Sequence, residues 1–395
     1  MARFLLAWEL GDGLGHVNRL LPLARALRDA GHETIWAIKD VVGGGRRLGS
    51  DVGPIVAAPI RPQSGNTQPP LSLADILITM GFSQPDALKP MLRSWVDLLE
   101  LVGPDVVLAD YSPTALLAAR ILELPAVAIG NGFEIPPDRS PLPSLQPWQS
   151  VPGRQLEKSE RAVLPSINSV MSDYRAPALD RLAQLYAGRD SLLCCFPEFD
   201  HFGAREDADY LGPVLEQPPE PPDCDSVSNR RRLFFYLSAK HPFTRPLLEY
   251  LARRGEPAIG YVRDAKQADL QNLSSLSLHI SSEPLDMTEM LASANLVICH
   301  GGAGTTPAAI LAGVPTLMVP LSIEQAMLAY RIGYAGLGVP VPSDKHMAAI
   351  DSLLRRSRQP DVYERVGAVA ARYADFDPRH QAETMTARCL AQLES

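Results

Sequence analysis

The sequence predicts an α/β protein with two domains, each built around a parallel sheet that helices cover on both faces. Three observations support this prediction. The chain has 395 residues, too many for one ordinary core, so two domains of roughly 150 to 200 residues are expected. Short apolar runs bounded by Gly and Pro alternate with helical patterns in both halves. These runs are apolar on both faces, as the strands of a doubly covered sheet are.

The first half of the chain supplies strands and helices in alternation. The segments "RFLLAWEL" and "ETIWAIK" read as strands, and "HVNRLLPLARALRDAGH" between them reads as a helix with an apolar stripe that Gly31 ends. Further on, "PDVVLAD", "SPTALLAARILEL" and "PAVAIG" give strand, helix and strand, and "SLLCCF" reads as another buried strand. This order is typical of parallel strands joined by crossover helices. Residues 59–72 and 131–153 are rich in Pro, Ser and Gly, so we predict surface loops there.

A proline-rich stretch, "GPVLEQPPEPPDCDSVSNRRR", then interrupts the pattern and is typical of an exposed linker. After it, the segments "RLFFYLS", "EPAIGYV", "LSLHI", "ANLVICH" and "PTLMVP" again read as short apolar strands, with helices such as "RPLLEYLARRG" between them. We therefore predict a first domain at 1–214, a linker at 215–231 and a second domain at 232–378. A C-terminal helix at 379–395 closes the second domain or packs back on the first.

Composition and charge exclude several classes of protein. Hydrophobic residues make up 46% of the chain and charged residues 21%, as in a well-packed globular protein. The net charge of -8 argues against nucleic-acid binding, which usually needs a basic face. The five cysteines lack metal-site spacing, so free thiols in a reducing cytoplasm are expected. With no signal peptide and no run of ~18 apolar residues, we expect a cytoplasmic monomer or homodimer without a membrane span.

The strongest local signal is the glycine-rich turn in "ANLVICHGGAGTTPAAILAGVPTLMVP". A buried strand ends at Cys299, the turn follows, and Pro307 stands where a first helical turn favours proline. Glycines allow close backbone approach, and a helix N-terminus favours an anion such as a diphosphate. The turn lacks the lysine of a Walker A loop, and a tight turn that merely uses glycines is the alternative. Its residues are His300, Gly301, Gly302, Ala303, Gly304, Thr305 and Thr306.

Three stretches together carry a family resemblance. The segment "HGGAGTTPAAILAGVPTLMVPLSIEQAMLAYRI" resembles the donor-site signature of nucleotide-sugar glycosyltransferases of the GT-B fold, nearest to bacterial natural-product and macrolide-type members of family 1. "GDGLGHVNRLLPLARALRDAGHE" and "PDVVLADYSPTALLAARILELPAVAI" are similar to the opening glycine loop and central strand of that family. The resemblance implies two Rossmann-like domains facing across a cleft. It also implies an acceptor held mainly on the first domain and a nucleotide sugar held mainly on the second.

The resemblance implies roles for individual residues. Glu324 and Gln325 match an acidic-Gln pair that contacts the sugar, commonly Asp-Gln, so no sugar preference is carried over; Glu324 could instead be a first-turn acid of a helix. Ser238 matches a hydroxyl residue near the phosphates, and Pro284 and Leu285 occupy the base-binding region. The plant-type tryptophan signature is absent, so no UDP preference is inherited. The full donor-binding set is Gly13, Ser238, Pro284, Leu285, His300, Gly301, Gly302, Gly304, Thr305, Thr306, Glu324 and Gln325.

The opening loop "WELGDGLGHVN", residues 8–18, admits two functions. As a dinucleotide fingerprint, GxGxxG from Gly11 fails at its sixth position, which is His16, although Asp40 could still serve as the ribose-binding acid of a dehydrogenase. In a glycosyltransferase, the loop presents His16 as the base that takes the proton of an acceptor hydroxyl, and Asp110 orients the imidazole. Alternatively, His16 bonds backbone at a helix N-terminus and Asp110 caps the following helix.

We therefore predict an inverting, metal-independent glycosyltransferase. It moves a sugar from a UDP- or dTDP-sugar, its co-substrate, to a hydroxyl or other nucleophile of a small-molecule natural product, and it needs no cofactor. The glycine turn rather than a metal ion meets the charge of the leaving diphosphate. Phe133 and Trp148 line the acceptor pocket or serve as ordinary loop anchors. The alternatives are a nucleotide-sugar epimerase of the same fold and a catalytically inactive nucleotide-sugar-binding partner protein.

Overall fold

The computed structural model describes residues 1–50, 52–61, 69–216, 232–266, 270, 272–341 and 349–394. The chain divides into two compact units. The N-terminal unit comprises Met1–Val214 together with Pro378–Ser395, and the C-terminal unit comprises Leu215–Asp377. Most of the predicted linker, residues 217–231, lies outside the described residues. Among the helices of the described ranges, none combines the length and the apolar character that a membrane crossing requires.

The N-terminal unit is built on a six-stranded parallel sheet in the order β3-β2-β1-β4-β5-β6. Its strands are β1 (Arg3–Trp8), β2 (Glu33–Ile38), β3 (Ile55–Ala57), β4 (Val106–Asp110), β5 (Ala126–Gly130) and β6 (Asp190–Leu193). Its helices up to residue 214 are α1 (Gly15–Asp29), α2 (Gly43–Leu48), α3 (Leu73–Thr79), α4 (Pro85–Val102), α5 (Pro113–Ile121) and α6 (Gly153–Asp173), with 3-10 turns at Leu182–Tyr186 and Pro197–Phe199. β4 and β5 are buried along their whole length, as the predicted double cover requires.

The C-terminal unit repeats this architecture with the order β12-β11-β10-β7-β8-β9, again all parallel. Its strands are β7 (Arg232–Ser238), β8 (Ala258–Arg263), β9 (Leu278–Ser281), β10 (Ala294–Cys299), β11 (Thr316–Met318) and β12 (Gly338–Pro340). Its described helices are α7 (Thr244–Arg254), α8 (Met287–Ser293), α9 (Thr305–Leu311), α10 (Ile323–Tyr334), α11 (Ile350–Ser357) and α12 (Pro360–Arg372).

Both sheets have the strand order 3-2-1-4-5-6 when each is numbered from its own first strand. Ligands of such sheets bind outside the carboxyl ends of the strands, where the order reverses. The reversal lies between β1 and β4 in the N-terminal unit and between β7 and β10 in the C-terminal unit. The predicted α/β class with two parallel sheets is confirmed, as are the ten strands that the sequence predicts.

The last helix, α13 (Pro378–Ala391), belongs to the N-terminal unit. Met385 and Cys389 on α13 are buried in the core that β1, β2 and α1 form. Polar contacts hold the same helix, because Arg388 Nε donates to Asp190 Oδ2 at 2.8 Å and Gln381 Nε2 donates to the Leu211 carbonyl at 3.0 Å. The end of the chain thus completes the core of the unit that begins it.

The prediction of a surface loop at 131–153 is confirmed in part: the segment is irregular and residues 138–140 and 148–150 are exposed, but other parts of it are buried. The segment has no strand or helix before α6, yet Leu142 and Leu145 are fully buried and Asn131 is 2% exposed. Buried carboxylates pair its backbone: Glu134 accepts from the N–H of Asn131 at 2.7 Å, and Glu160 accepts from the N–H of Leu142. Such pairing lets irregular backbone be buried, and composition alone does not reveal it. In the other predicted surface loop, 59–72, residues 62–68 lie outside the described residues.

Candidate active site

His16 and Asp110 form a buried dyad in the N-terminal unit. Nδ1 of His16 lies 2.7 Å from Oδ1 of Asp110, and the two residues are 7% and 0% exposed. An ionised carboxylate only accepts hydrogen bonds, so it holds the imidazole in the tautomer that carries its proton on Nδ1. The other ring nitrogen, Nε2, is then unprotonated and able to accept a proton. The structure thus brings together the two residues, 94 positions apart, that the sequence analysis paired.

Sheet register explains how the dyad forms. Trp8 at the end of β1 pairs with Asp110 at the end of β4, so the loop after β1 starts level with the Asp110 carboxylate. That loop leads into α1, whose first turn carries His16. Lys39 pins the loop through hydrogen bonds to the Gly11 carbonyl at 2.6 Å and to Asp12 at 3.1 Å.

Two glycines shape the loop in front of the imidazole. Gly11 has φ +77° and Gly13 has φ +87°, a region that side chains rarely adopt. A β-carbon at position 11 would lie 2.4 Å from Nε2 of His16. Glycine at this position therefore avoids a collision with Nε2, the ring nitrogen that Asp110 does not contact. Gly13, predicted to bind the donor, is half-buried in the same loop.

Two aromatic rings lie next to the imidazole. The ring of Trp8 stacks on His16 with a centroid distance of 5.3 Å, and the ring of Tyr111 lies nearly parallel to it at 6.2 Å. Phe133 meets Tyr111 edge-to-face at 5.8 Å and is 4% exposed. Phe133, one of the two predicted acceptor residues, therefore belongs to the aromatic cluster next to the base. Trp148, the other, is 44% exposed.

The structure argues against two alternative roles. Asp40, the candidate ribose-binding acid, accepts from the N–H groups of Gly43 and Val42 at 2.8 and 3.2 Å and so caps the start of α2. Asp110 does not cap α5. Glu9 supports that helix start instead, because its carboxylate accepts from the N–H and the hydroxyl of Thr114 at 2.9 and 2.6 Å.

Sequence reasoning missed two buried charged residues beside the dyad. One nitrogen of Arg19, Nη1, lies 2.9 and 3.0 Å from the two carboxylate oxygens of Asp110 and 3.4 Å from Oε2 of Glu134. The sequence spacing could have identified Arg19, because it lies three positions after His16 on one helix, and side chains at that spacing are neighbours. His16, Asp110 and Glu134 could by geometry share a metal ion. The guanidinium already lies against both carboxylates, so a metal ion would have to displace it.

The predicted glycine turn of the C-terminal unit lies at the other point of strand reversal. β10 is buried throughout and ends at Cys299, and α9 starts at Thr305. Gly301 has φ +80°, and a β-carbon there would lie 3.1 Å from the carbonyl oxygen of Gln325. By contrast, a β-carbon on Gly302 or Gly304 would meet no atom within 4 Å, so both face open space. This turn thus has an inner side packed on α10 and an outer side free for a ligand.

His300 connects this turn to β7. Its Nε2 accepts from the N–H of Ser238 at 2.7 Å, and its Nδ1 donates to the Val319 carbonyl at 2.6 Å. Burial lowers the pKa of the imidazole to about 4, which keeps it neutral. His300 therefore holds the turn between β7 and the end of β11. The Ser238 hydroxyl donates to Asp264 at 2.8 Å and accepts from the N–H of Lys240 at 3.2 Å.

The remaining predicted donor residues also lie at the carboxyl edge of this sheet. Thr305 is half-buried, whereas Thr306 is fully buried with its hydroxyl 3.7 Å from the Cys299 thiol. Glu324 and Gln325 are in the first turn of α10, and the Gln325 side chain accepts from the N–H of Leu321 at 2.9 Å. The last two predicted donor residues, the exposed Pro284 and the half-buried Leu285, follow β9.

A cavity of about 260 Å³ opens in the N-terminal unit between the 131–138 segment and the 3-10 turn at Leu182–Tyr186. Its lining includes Ile135, Asp138, Arg181 and Tyr186. None of the predicted site residues lines it.

Comparison with known proteins gives matches in sequence and in structure. Residues 262–373 match the family described as "Erythromycin biosynthesis protein CIII-like, C-terminal domain". The chain is 25% identical to the "PGL/p-HBAD biosynthesis rhamnosyltransferase" of Mycobacterium bovis (strain BCG / Pasteur 1173P2), a match that covers 93% of this chain and 84% of that protein.

Solved structures match the whole chain. The spinosyn rhamnosyltransferase SpnG complexed with thymidine diphosphate superimposes with a TM-score of 0.66 at 18% identity, covering 98% of this chain and 100% of that one. The glycosyltransferase SsfS6 of Streptomyces sp. SF2575, also complexed with thymidine diphosphate, gives a TM-score of 0.60 at 21% identity, covering 98% and 99%. At these identities the likeness concerns the fold.

Proposed function

We propose that this chain, a glycosyltransferase of the GT-B fold, is an inverting enzyme that uses a dTDP- or UDP-sugar, with His16 as general base and Asp110 as the carboxylate that orients it. The observation that carries the proposal is the buried contact of 2.7 Å between Nδ1 of His16 and Asp110, which leaves Nε2, next to Gly11, as the ring nitrogen that does not contact the carboxylate. This is the arrangement that a base for an incoming hydroxyl needs.

The base works on the acceptor. As the acceptor oxygen attacks the anomeric carbon, its proton passes to Nε2 of His16, and the bond from the anomeric carbon to the diphosphate oxygen breaks. Asp110 stabilises the imidazolium that forms, as the buried carboxylate of a serine-protease triad does. Attack from the face opposite the diphosphate inverts the anomeric centre.

The leaving diphosphate is assigned to the turn at 301–306 in the C-terminal unit, and Ser238, which is fully buried, supports that turn through the bond from its N–H to His300. Glycine at 302 and 304 allows phosphate oxygens to approach the backbone, and the donors are preorganised before the charge develops. The two structural neighbours complexed with thymidine diphosphate support a nucleoside diphosphate as the ligand. His300 contributes by holding the turn, because both of its ring nitrogens already bond protein atoms.

The sugar and the base are assigned to flanking segments of the same edge. Glu324 and Gln325 bind sugar hydroxyls, and Pro284 and Leu285 lie against the nucleobase. The names of two relatives, both rhamnosyltransferases, make dTDP-rhamnose the first donor to test. The acceptor is a small molecule with a hydroxyl, and the rings of Tyr111 and Phe133 beside the base favour acceptors with an aromatic or flat apolar part.

No metal ion is assigned to the reaction. The candidate ligand group of His16, Asp110 and Glu134 has Arg19 against its two carboxylates. A metal ion at that position would also bind the imidazole that the proposal uses as a base. The turnover assay below is therefore run with and without EDTA, and equal rates are expected.

The test combines binding with turnover. Thermal unfolding is measured with dTDP, UDP, GDP and NAD, since a ligand at a hundred times its Kd adds about 2.7 kcal/mol to folded-state stability. Turnover is then measured with dTDP-rhamnose and UDP-glucose against a panel of hydroxylated aromatic acceptors, with the product identified by mass and anomeric configuration. We expect stabilisation by dTDP or UDP and an inverted glycoside.

The variant His16→Asn tests the base. Loss of a general base costs about 10²- to 10⁴-fold in rate, and binding of dTDP in the C-terminal unit stays unchanged. His380→Asn is the matched control, because His380 lies on α13 with a side chain that is 80% exposed. Full activity of His16→Asn would refute its role. Product from the donor without an acceptor would indicate an epimerase, and binding without turnover would indicate an inactive partner protein.

A further inference from the structure

Arg19 holds an unusual position beside the dyad. A single guanidinium nitrogen contacts both oxygens of Asp110, at 2.9 and 3.0 Å, and approaches Glu134 at 3.4 Å. All three side chains are buried, with exposures of 9%, 0% and 6% for Arg19, Asp110 and Glu134. Glu134 is itself held in place, because its Oε2 accepts from the N–H of Asn131 at 2.7 Å.

The two carboxylates create an electrostatic problem for the base. Ligating atoms of His16, Asp110 and Glu134 lie within 4.8 Å of one another. Both carboxylates are buried, and like charges repel most strongly where water is excluded, so the pair needs a counter-charge. A proton taken up by the pair would weaken Asp110 as acceptor for Nδ1–H of His16, and the imidazole would lose its fixed tautomer.

We propose that Arg19 is a positioning residue that keeps Asp110 ionised beside Glu134 and thereby keeps Nε2 of His16 free to take a proton. The inference rests on the proposed role of His16 as the base. With Arg19 present, the charges of Asp110, Glu134 and Arg19 sum to -1, and without Arg19 they sum to -2.

Other titratable groups around the cluster are accounted for. Cys194, just after β6, interacts with all three charged residues, and burial raises the pKa of its thiol to about 12, so it is neutral. Burial raises the pKa of Glu9, next to Trp8, to about 7, and its carboxyl group is bonded to Thr114. Lys39 is paired with Asp12. The rings of Trp8 and Tyr111 lie nearly parallel to the imidazole, with centroids 5.3 and 6.2 Å from it.

Four variants separate charge from packing. Arg19→Met keeps the length of the side chain and removes its charge, and Arg19→Lys keeps a cation that one nitrogen can present to Asp110. Glu134→Gln removes the competing carboxylate, and the double variant Arg19→Met/Glu134→Gln returns the charge sum to -1. Arg120→Met is the matched control, because Arg120 is a partly buried arginine of the same unit that bonds the Gln184 carbonyl.

The first readout is NMR of ¹⁵N-histidine-labelled protein, which needs no substrate. The Nδ1–H proton of His16, bonded to a carboxylate, gives a downfield signal that is assigned by its loss in His16→Asn. We expect this signal to disappear or move upfield in Arg19→Met at neutral pH. It stays in Arg19→Lys and in Arg120→Met, and it returns in the double variant.

Kinetics give the second readout, with dTDP-rhamnose or UDP-glucose as donor and the same aromatic acceptors. We expect Arg19→Met to lose about tenfold or more in kcat, with Kd for dTDP unchanged. The acid limb of its kcat/KM profile moves to higher pH, because the shared proton must be lost before the dyad works. Glu134→Gln in the same chain restores both.

The outcomes keep this inference apart from the proposed function. A wild-type signal and pH profile in Arg19→Met would overturn it. A double variant whose Nδ1–H signal and pH profile are the same as those of Arg19→Met would also overturn it, because that result would indicate packing alone. If Arg19→Met does not fold, Arg19→Lys and the double variant are compared with wild type by the same two measurements. Activity retained in His16→Asn would instead refute the proposed base, whatever Arg19 does.

Discussion

A β-carbon on residue 11 would lie 2.4 Å from Nε2 of His16, so the imidazole cannot keep its position if residue 11 carries a side chain. The left-handed backbone of Gly11, with φ +77°, adds a second reason for glycine. Glycine in this loop, which resembles a phosphate-binding turn, thus makes room for one ring nitrogen of a histidine.

The first prediction concerns this glycine. Gly11→Ala should lower kcat by about 10²-fold or more, because the methyl group displaces or covers the base, whereas binding of dTDP should stay within twofold of wild type. Gly31→Ala is the control: Gly31 also has positive φ, +85°, and a β-carbon there would meet no atom within 4 Å. Equal losses in both variants would point to backbone strain alone.

The second prediction concerns Asp110. Asp110→Asn keeps the size of the side chain but allows its amide to donate to Nδ1, which favours the wrong imidazole tautomer. In a serine protease, the corresponding change costs about 10⁴-fold in kcat, and a loss of about 10²-fold or more is expected here. Steady-state rates across pH 5 to 9 check this, with donor KM expected to change little. A rate near that of wild type would show that the dyad does not act as a unit.

The residues that the sequence analysis identified carry local sequence signals, whereas the residues that it missed are defined by their neighbours in space. Both glycine turns, His16, Asp110 and the parallel strands carry local signals, and the resemblance to glycosyltransferases is confirmed by a relative that matches 93% of the chain. Strand-end positions also imply which residues meet, because the carboxyl ends of parallel strands share one edge.

Arg19 and Glu134 were missed because their role depends on distance in space. Glu134 lies in a segment whose composition indicates a surface loop, and only the bond from Asn131 N–H to its carboxylate shows why it is buried. The edge strands β3 and β12, of three residues each, were also missed.

The third prediction concerns pH and His300. The imidazole has a pKa of about 4 in the folded protein, because burial disfavours its charged form, against 6.5 as its ordinary value. Between these values the unfolded chain binds a proton that the folded protein does not, so stability falls as the pH drops through the window. His300→Gln removes this loss, which amounts to about 2 kcal/mol between pH 8 and pH 5.

The measurement is the free energy of unfolding of wild type and His300→Gln at both pH values. Glu9 acts with the opposite sign, because its pKa is raised to about 7 and the folded protein binds its proton first. Both proteins carry Glu9, so its contribution cancels in the difference between them. A difference that does not change with pH would contradict a neutral, buried His300.

The fourth prediction concerns the end of the chain. Met385 on α13 is 2% exposed and packs in the core of the N-terminal unit. Met385→Ala should therefore lower the free energy of unfolding by about 2 to 5 kcal/mol, whereas Glu383→Ala on the same helix, with a side chain 77% exposed, should lower it little.

The two units give separate reporters: dTDP binds the C-terminal unit in the proposed function, and the dyad lies in the N-terminal unit. Hydrogen exchange should show faster opening of β1 and α1 in Met385→Ala, while β10 and the turn at 300–306 keep their protection and dTDP still binds. Loss of protection across β10 instead would mean that α13 stabilises the C-terminal unit.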